Sequence, residues 1–112
     1  MTRKIHPTYA NYYTATKTVW YDKPLSAMPY AQAGVIVRPK ETVLVSYETE
    51  VCHLDNNGWL TCTGTYSQTT RKHISAFMKE YCSPFTYHDA KTCYENNLAV
   101  NILTGEVKEL KN

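Results

Sequence analysis

An α+β domain built on an antiparallel β-sheet is the fold class this sequence predicts, and three observations predict it. Its apolar, β-branched segments alternate at period two and are joined by short turns, not by the long crossovers a parallel sheet needs. One segment switches to a helical period, with Ile74, Phe77, Met78 and Tyr81 repeating at i, i+3, i+4 and i+7. The 112 residues, 43% of them apolar, suit one domain with its own core. The expected arrangement is a sheet of five or six strands, a main amphipathic helix over about residues 68–82 packed on one face, and a second, shorter helix.

The elements follow in order. Residues 1–13 are basic and aromatic without a clean period, and read as an arm or an edge segment of the single domain 1–112. Thr14, Thr16, Thr18 and Val19 favour a strand over Thr14–Trp20, ended by Asp22-Lys23-Pro24. Leu25–Ala33 contains Pro29 and reads as loop with room for one helical turn. Val35–Val37 is a short strand broken by Arg38-Pro39-Lys40. Val43, Val45, Tyr47, Thr49 and Val51 then share one face of a long strand reaching Leu54, with Leu44, Ser46, Glu48 and Glu50 on the other. Asp55-Asn56-Asn57-Gly58 is a turn, because Asn and Gly tolerate positive φ. A three-residue loop there sets Leu54 opposite Leu60 and Cys52 opposite Cys62 in the returning strand Trp59–Gly64. Ser67 or Thr69 caps the main helix, which Cys82-Ser83-Pro84 stops. Thr86 and Asp89 form a capping-box pair for a helix over Tyr87–Glu95. Leu98, Val100 and Ile102 alternate into a strand, and Thr104-Gly105 turns it into a last one over Glu106–Leu110.

Charge bounds the function. The net charge is +2, but residues 1–40 hold six Lys/Arg against one acid, whereas residues 41–112 hold six against nine. Such a split points to an acidic partner for the first part, or to a dipolar surface with no special role. Met1-Thr2-Arg3-Lys4 is followed by polar residues, unlike a secretory signal, and no run approaches the ~20 apolar residues of a membrane span. The expectation is an intracellular protein with reduced thiols and no membrane contact.

Catalytic and metal readings find little. The four cysteines are spaced Cys52-x9-Cys62-x19-Cys82-x10-Cys93, without the close ligand pairs of structural zinc sites. His53 adjoins Cys52, but neighbours on a strand point to opposite faces, so the imidazole cannot activate that thiol. Cys82 with His88 is the other Cys–His candidate. Glu48 and Glu50 suit a solvated edge better than a carboxylate pair. Only four glycines are present, and none is spaced for a phosphate loop. No enzyme and no cofactor is expected.

The start of the main helix stands out instead. Tyr66, Ser67, Thr69, Thr70, Arg71, Lys72 and His73 bring hydroxyls, unpaired N–H groups and cations together. Cations at a helix N-terminus cost about 0.3–1 kcal/mol each unless an anion sits nearby, so the cluster suits a phosphate or carboxylate. The plainer reading is a Ser/Thr cap followed by solvated Arg and Lys. Arg3, Lys4, Lys17 and Lys23, interleaved with Tyr9, Tyr12, Tyr13, Trp20 and Tyr21, could extend the site. Aromatics mixed with cations suit nucleic acid, and equally suit a protein interface.

Ser46-Tyr47-x-Thr49-x-Val51, then Asn57-Gly58, then Gly64-Thr65-Tyr66-Ser67-x-Thr69-Thr70-Arg71-Lys72-His73-Ile74, resembles a small domain common in phages and prophages of Gram-positive bacteria. The resemblance spans residues 46–81 and implies that Tyr66, Ser67, Thr69, Thr70, His73 and Ile74 serve the fold or a shared site. It implies mobile-element origin more than an activity. By analogy with short phage proteins that lack catalytic motifs, the expected function is non-enzymatic inhibition of a host-defence protein. An anti-CRISPR acting on a CRISPR effector nuclease fits best, and a small nucleic-acid-binding phage regulator is the alternative.

Overall fold

A computed structural model of the chain describes residues 21–64 and 67–110. Seven strands form one antiparallel sheet in sequence order: β1 (Lys23–Pro24), β2 (Ala33–Val37), β3 (Glu41–Ser46), β4 (Thr49–Asp55), β5 (Trp59–Cys62), β6 (Leu98–Asn101) and β7 (Val107–Glu109). Two helices, α1 (Gln68–Tyr81) and α2 (Tyr87–Asn96), lie between β5 and β6. The fold is α+β, as the alternation of short strands and the single helical stripe predict.

Directly paired side chains build the helix-covered face. Val35 lies opposite Leu44, Leu44 opposite Cys52, and Cys52 opposite Cys62, so one buried row crosses four strands. Leu60 and Val100 pair beside it. Ile74, Phe77 and Met78 of α1 and Ala90 and Cys93 of α2 close over this row to make the main core. A smaller apolar cluster of Tyr21, Val43 and Val45, flanked by Ile36, occupies the opposite face. Gly34 belongs to that face. A Cβ there would lie within 3.0 Å of three Tyr21 ring carbons. Gly34→Ala is therefore expected to destabilise the fold by about 1–3 kcal/mol through overpacking, measured by urea denaturation.

The long strand expected over residues 43–54 is a hairpin. β3 ends at Ser46, Tyr47 and Glu48 make the turn, and Thr49 pairs back with Ser46. Tyr47 sits at φ 59, the left-handed region that aromatic residues seldom adopt. Its carbonyl–amide geometry is anchored by a hydrogen bond from its N–H to the Gln32 carbonyl at 2.7 Å. A bulge follows: Leu44 pairs with Cys52 but Val45 with Glu50, so Val51 is an extra residue. The bulge turns Val51 into the main core and Glu50 to the opposite face beside Val45. The single-face grouping of Val43, Val45 and Val51 is corrected accordingly.

Glu50 is also no bare solubilising charge. With Glu41 it holds the guanidinium of Arg38, and the two carboxylates flank His53 at 3.1 and 3.4 Å. The Arg38 guanidinium and the His53 imidazole, after a burial penalty that works the other way, hold the Glu41 carboxyl below its ordinary range. His53 thus faces away from Cys52, as strand alternation requires.

The remaining differences are small. Lys23–Pro24 does not simply end a strand but pairs with Val35 and Gly34 as an edge, where proline is tolerated. The turn at 55–58 and the Cys52–Cys62 and Leu54–Leu60 registers are as expected. Thr86 and Asp89 form the capping box, and Asn97 ends α2 in the left-handed conformation. The strand expected over Thr14–Trp20 and the arm 1–13 lie outside the described residues.

Candidate functional site: the α1 groove and its clasp

Ser67 is the N-cap of α1. Its Oγ accepts from the Thr70 N–H at 3.1 Å. Counting from that cap, Arg71 is the fourth helical residue, and Lys72 and His73 fall in the second turn. The helix-end field fades within the first turn, so repulsion between these cations and the helix N-terminus is weaker than the sequence suggested.

Two of the hydroxyls expected to face a ligand, those of Ser67 and Thr70, are instead engaged with each other and, through Thr70, with the sheet. Ser67 Oγ donates to Thr70 Oγ1 at 3.2 Å. Thr70 Oγ1 lies 3.1 Å from Ser46 Oγ, which lies 2.8 Å from His73 Nδ1. Ser46, Thr70 and His73 are all buried. One relay satisfies all four side chains: Ser67 donates to Thr70, Thr70 to Ser46, and Ser46 to the unprotonated Nδ1 of a neutral His73. Burial pushes the His73 imidazole pKa down. The Tyr47 ring covers the imidazole, centroids 5.7 Å apart. His73 is therefore corrected from a surface cation to a neutral core group. Ser67, Thr70 and His73 clasp the β3–β4 turn to the start of α1.

The clasp is built from residues within the segment 46–81. Its Ser-Tyr supplies Ser46 and the left-handed Tyr47, and its Ser-x-x-Thr-x-x-His supplies the other end of the relay. A profile described as a family of unknown function, DUF8033, matches residues 5–98. The chain is a DUF8033 protein. No curated protein and no solved structure matches it.

On this DUF8033 chain the solvent side of α1 differs from the clasp side. Arg71 and Lys72 are exposed and line a groove of about 470 Å³ with Met28, Gln68, Ser75 and Tyr87. The Arg71 guanidinium sits 5.2 Å from the Tyr87 ring centroid, a cation–π contact that holds it over the groove. A second groove of about 460 Å³ shares Ser75 and Tyr87 and runs on past Lys79, Pro84, Phe85 and His88. The two form one track along the outer face of α1. Arg71, Lys72, Lys79 and His88 line it, and among the described residues no carboxylate does. Among the described residues, neither Arg71, Lys72 nor Lys79 is in an ion pair.

Thr69 is exposed at the same end of α1. Lys23 is not part of the track, since its ammonium lies 5.7 Å from the Tyr81 ring centroid at the opposite end of the helix. Tyr66, Arg3, Lys4 and Lys17 lie outside the described residues. Sequence reasoning missed Ser75, Lys79, Tyr87 and His88. The first two were readable as the polar stripe opposite Ile74, Phe77 and Met78: Ser75 lies three and four residues from Lys72 and Arg71, and Lys79 four beyond Ser75. Tyr87 and His88 reach the track only because α1 and the start of α2 pack together. Among the described residues, no three His, Cys, Asp or Glu side chains are grouped to hold a metal ion, and no helix is long and apolar enough to cross a membrane.

Proposed function

We propose that this DUF8033 protein is a non-enzymatic binding protein of phage or mobile-element origin. It uses the α1 track to dock on an acidic surface of a host-defence protein, with a CRISPR effector nuclease as the preferred target in the bacterial cytoplasm. The observation that carries the docking site is the sign of the track: the charged side chains lining it are basic, and those on α1 are without ion-pair partners among the described residues. Cations with no ion-pair partner beside half-buried aromatic rings leave their charge available to an anionic partner, whose pairing offsets the cost of desolvating them, and Arg with Tyr is the composition of an anchor region. The phage-type resemblance of residues 46–81 supports the choice of host defence as target. The buried clasp supports a binding role over a catalytic one, because its Ser–His pair is sealed from substrate.

Arg71→Glu with Lys72→Glu tests the site. Both side chains are exposed, so the fold is expected to survive, as circular dichroism and thermal melting would show. Affinity for a purified effector nuclease is expected to fall about 10–100-fold, or roughly 1.4–2.8 kcal/mol. An unchanged affinity in a folded double variant removes the track from the mechanism.

A second reading follows from the same charges: the track binds nucleic acid directly. Titration with single- and double-stranded oligonucleotides at low and physiological salt separates the two. Phosphate contacts lose affinity steeply as salt rises. Strong oligonucleotide binding that the double variant abolishes favours the regulator; effector binding without it favours the inhibitor.

A further inference from the structure

The two cysteines at the centre of the sheet are placed for chemistry the binding role does not use. Cys52 on β4 and Cys62 on β5 are directly opposite, with sulfurs 3.9 Å apart, and both are free thiols. The Thr63 N–H donates to the Val51 carbonyl at 2.9 Å, immediately outside the pair. That pattern makes Cys52–Cys62 a non-hydrogen-bonded pair, in which the two strands bring Cα atoms to about 4.5 Å. Disulfides span Cα separations of about 4.4–6.8 Å, so the bond can form by side-chain rotation while the backbone stays in place.

We propose that Cys52 and Cys62 are a reversible modification site, closing to a cross-strand disulfide when the protein meets a small oxidant such as hydrogen peroxide. Cys62 is the attacking group. Its sulfur accepts a hydrogen bond from the Cys52 thiol, which lowers its pKa, and it retains 7% exposure where Cys52 has none. The Cys62 thiolate attacks one peroxide oxygen and breaks the O–O bond. This gives a sulfenic acid, and the departing hydroxide takes up a proton as water. The Cys52 thiol then attacks the Cys62 sulfur, its proton passing to the departing hydroxyl, which leaves as a second water. Two thiols and one peroxide thus become one disulfide and two waters, with the sulfurs oxidised and the peroxide reduced.

The other two cysteines are less suited. Cys82 caps the end of α1 and Cys93 lies in α2, both buried in the same core. Burial pushes the Cys82 thiol up to about 12 and Cys93 in the same direction, so neither is the first attacker; the Cys62 contact and burial push Cys52 up too, which leaves it the resolving thiol opposite Cys62. The new bond would staple β4 to β5 two residues before Gly64, on the strand that leads into the Ser67 cap and the α1 track.

The test uses the reduced full chain and hydrogen peroxide. Intact-mass spectrometry is expected to show the loss of two hydrogen atoms, and peptide mapping without reductant a single Cys52–Cys62 link. The thermal midpoint is expected to rise by several degrees and return on adding dithiothreitol. Two results overturn the proposal: a link running through Cys82 or Cys93, or four titratable thiols after treatment that oxidises an exposed control cysteine. Because the mapping is done on the native chain, no variant has to fold for the answer to count. Binding to effector or oligonucleotide does not enter the readout, so the result stands apart from the fate of the docking proposal.

Discussion

Phe77→Ala is expected to lower the free energy of unfolding by about 3–5 kcal/mol, the largest effect of any single substitution considered for this chain. Phe77 is fully buried and sits mid-way along α1, between Ile74 and Met78 on the stripe that closes over the Val35–Leu44–Cys52–Cys62 row. Its ring also lies 5.1 Å, centroid to centroid, from that of Tyr81. Removing it deletes the apolar area that holds the helix on the sheet and leaves a cavity. The surrounding strands, tied by their hydrogen-bond ladders, cannot collapse to fill it. Urea denaturation of wild type and variant measures the difference. Phe77→Leu keeps most of the volume and should cost clearly less. A loss under about 1 kcal/mol for the alanine variant would mean that α1 is not seated as described.

The second large effect belongs to the clasp. His73→Ala removes a buried ring and leaves the Ser46 hydroxyl without its acceptor, so a loss of about 2–4 kcal/mol is expected. It should also change the pH dependence of stability. The folded His73 imidazole has its pKa lowered below the ordinary 6.5 by burial, so the unfolded chain binds the proton more readily. His73 thus contributes stability that is fully present above pH 6.5 and is lost as pH falls from there through its folded pKa. Glu41 works in the same direction but lower down: its contribution is present above its ordinary 4.5 and lost as pH falls beneath that. Denaturation midpoints taken from pH 8 to pH 5 therefore report on His73 with Glu41 still ionised. Wild type should lose stability across this window, and the variant should lose less. Parallel curves for the two proteins would show that His73 is not held neutral by burial.

The polar residues of segment 46–81 have a mechanical role in the fold. Ser46, Ser67, Thr70 and His73 come from two segments separated by the whole β4–β5 hairpin, and their hydrogen bonds fix where α1 begins relative to the sheet. That placement sets the outer face of α1 against the start of α2, which is what forms the track. The buried polar residues serve the fold, and the proposed docking contacts fall to the exposed basic ones beside them.

Short-range features were legible from the chain alone. The Ile74–Phe77–Met78–Tyr81 stripe, the cap at Ser67 or Thr69, the Thr86–Asp89 capping box and the Asp55–Gly58 turn each depend on residues within a few positions of one another; each stands as read, with Ser67 the cap of the two. The α+β class followed from them. Tertiary structure alone decided the rest. Residues 43–54 alternate equally well as one long strand or as two paired ones; the left-handed Tyr47 and the bulge at Val51 chose the hairpin, because only pairing with β2 and packing under α1 distinguish the two. His73 reads as a cation beside Arg71 and Lys72, yet a helix rotates each residue by about 100° from the last, and the sheet beneath α1 took the imidazole inward while leaving the other two in solvent. Periodicity names the faces of an element, but what lies against each face is settled by contacts between segments far apart in the chain.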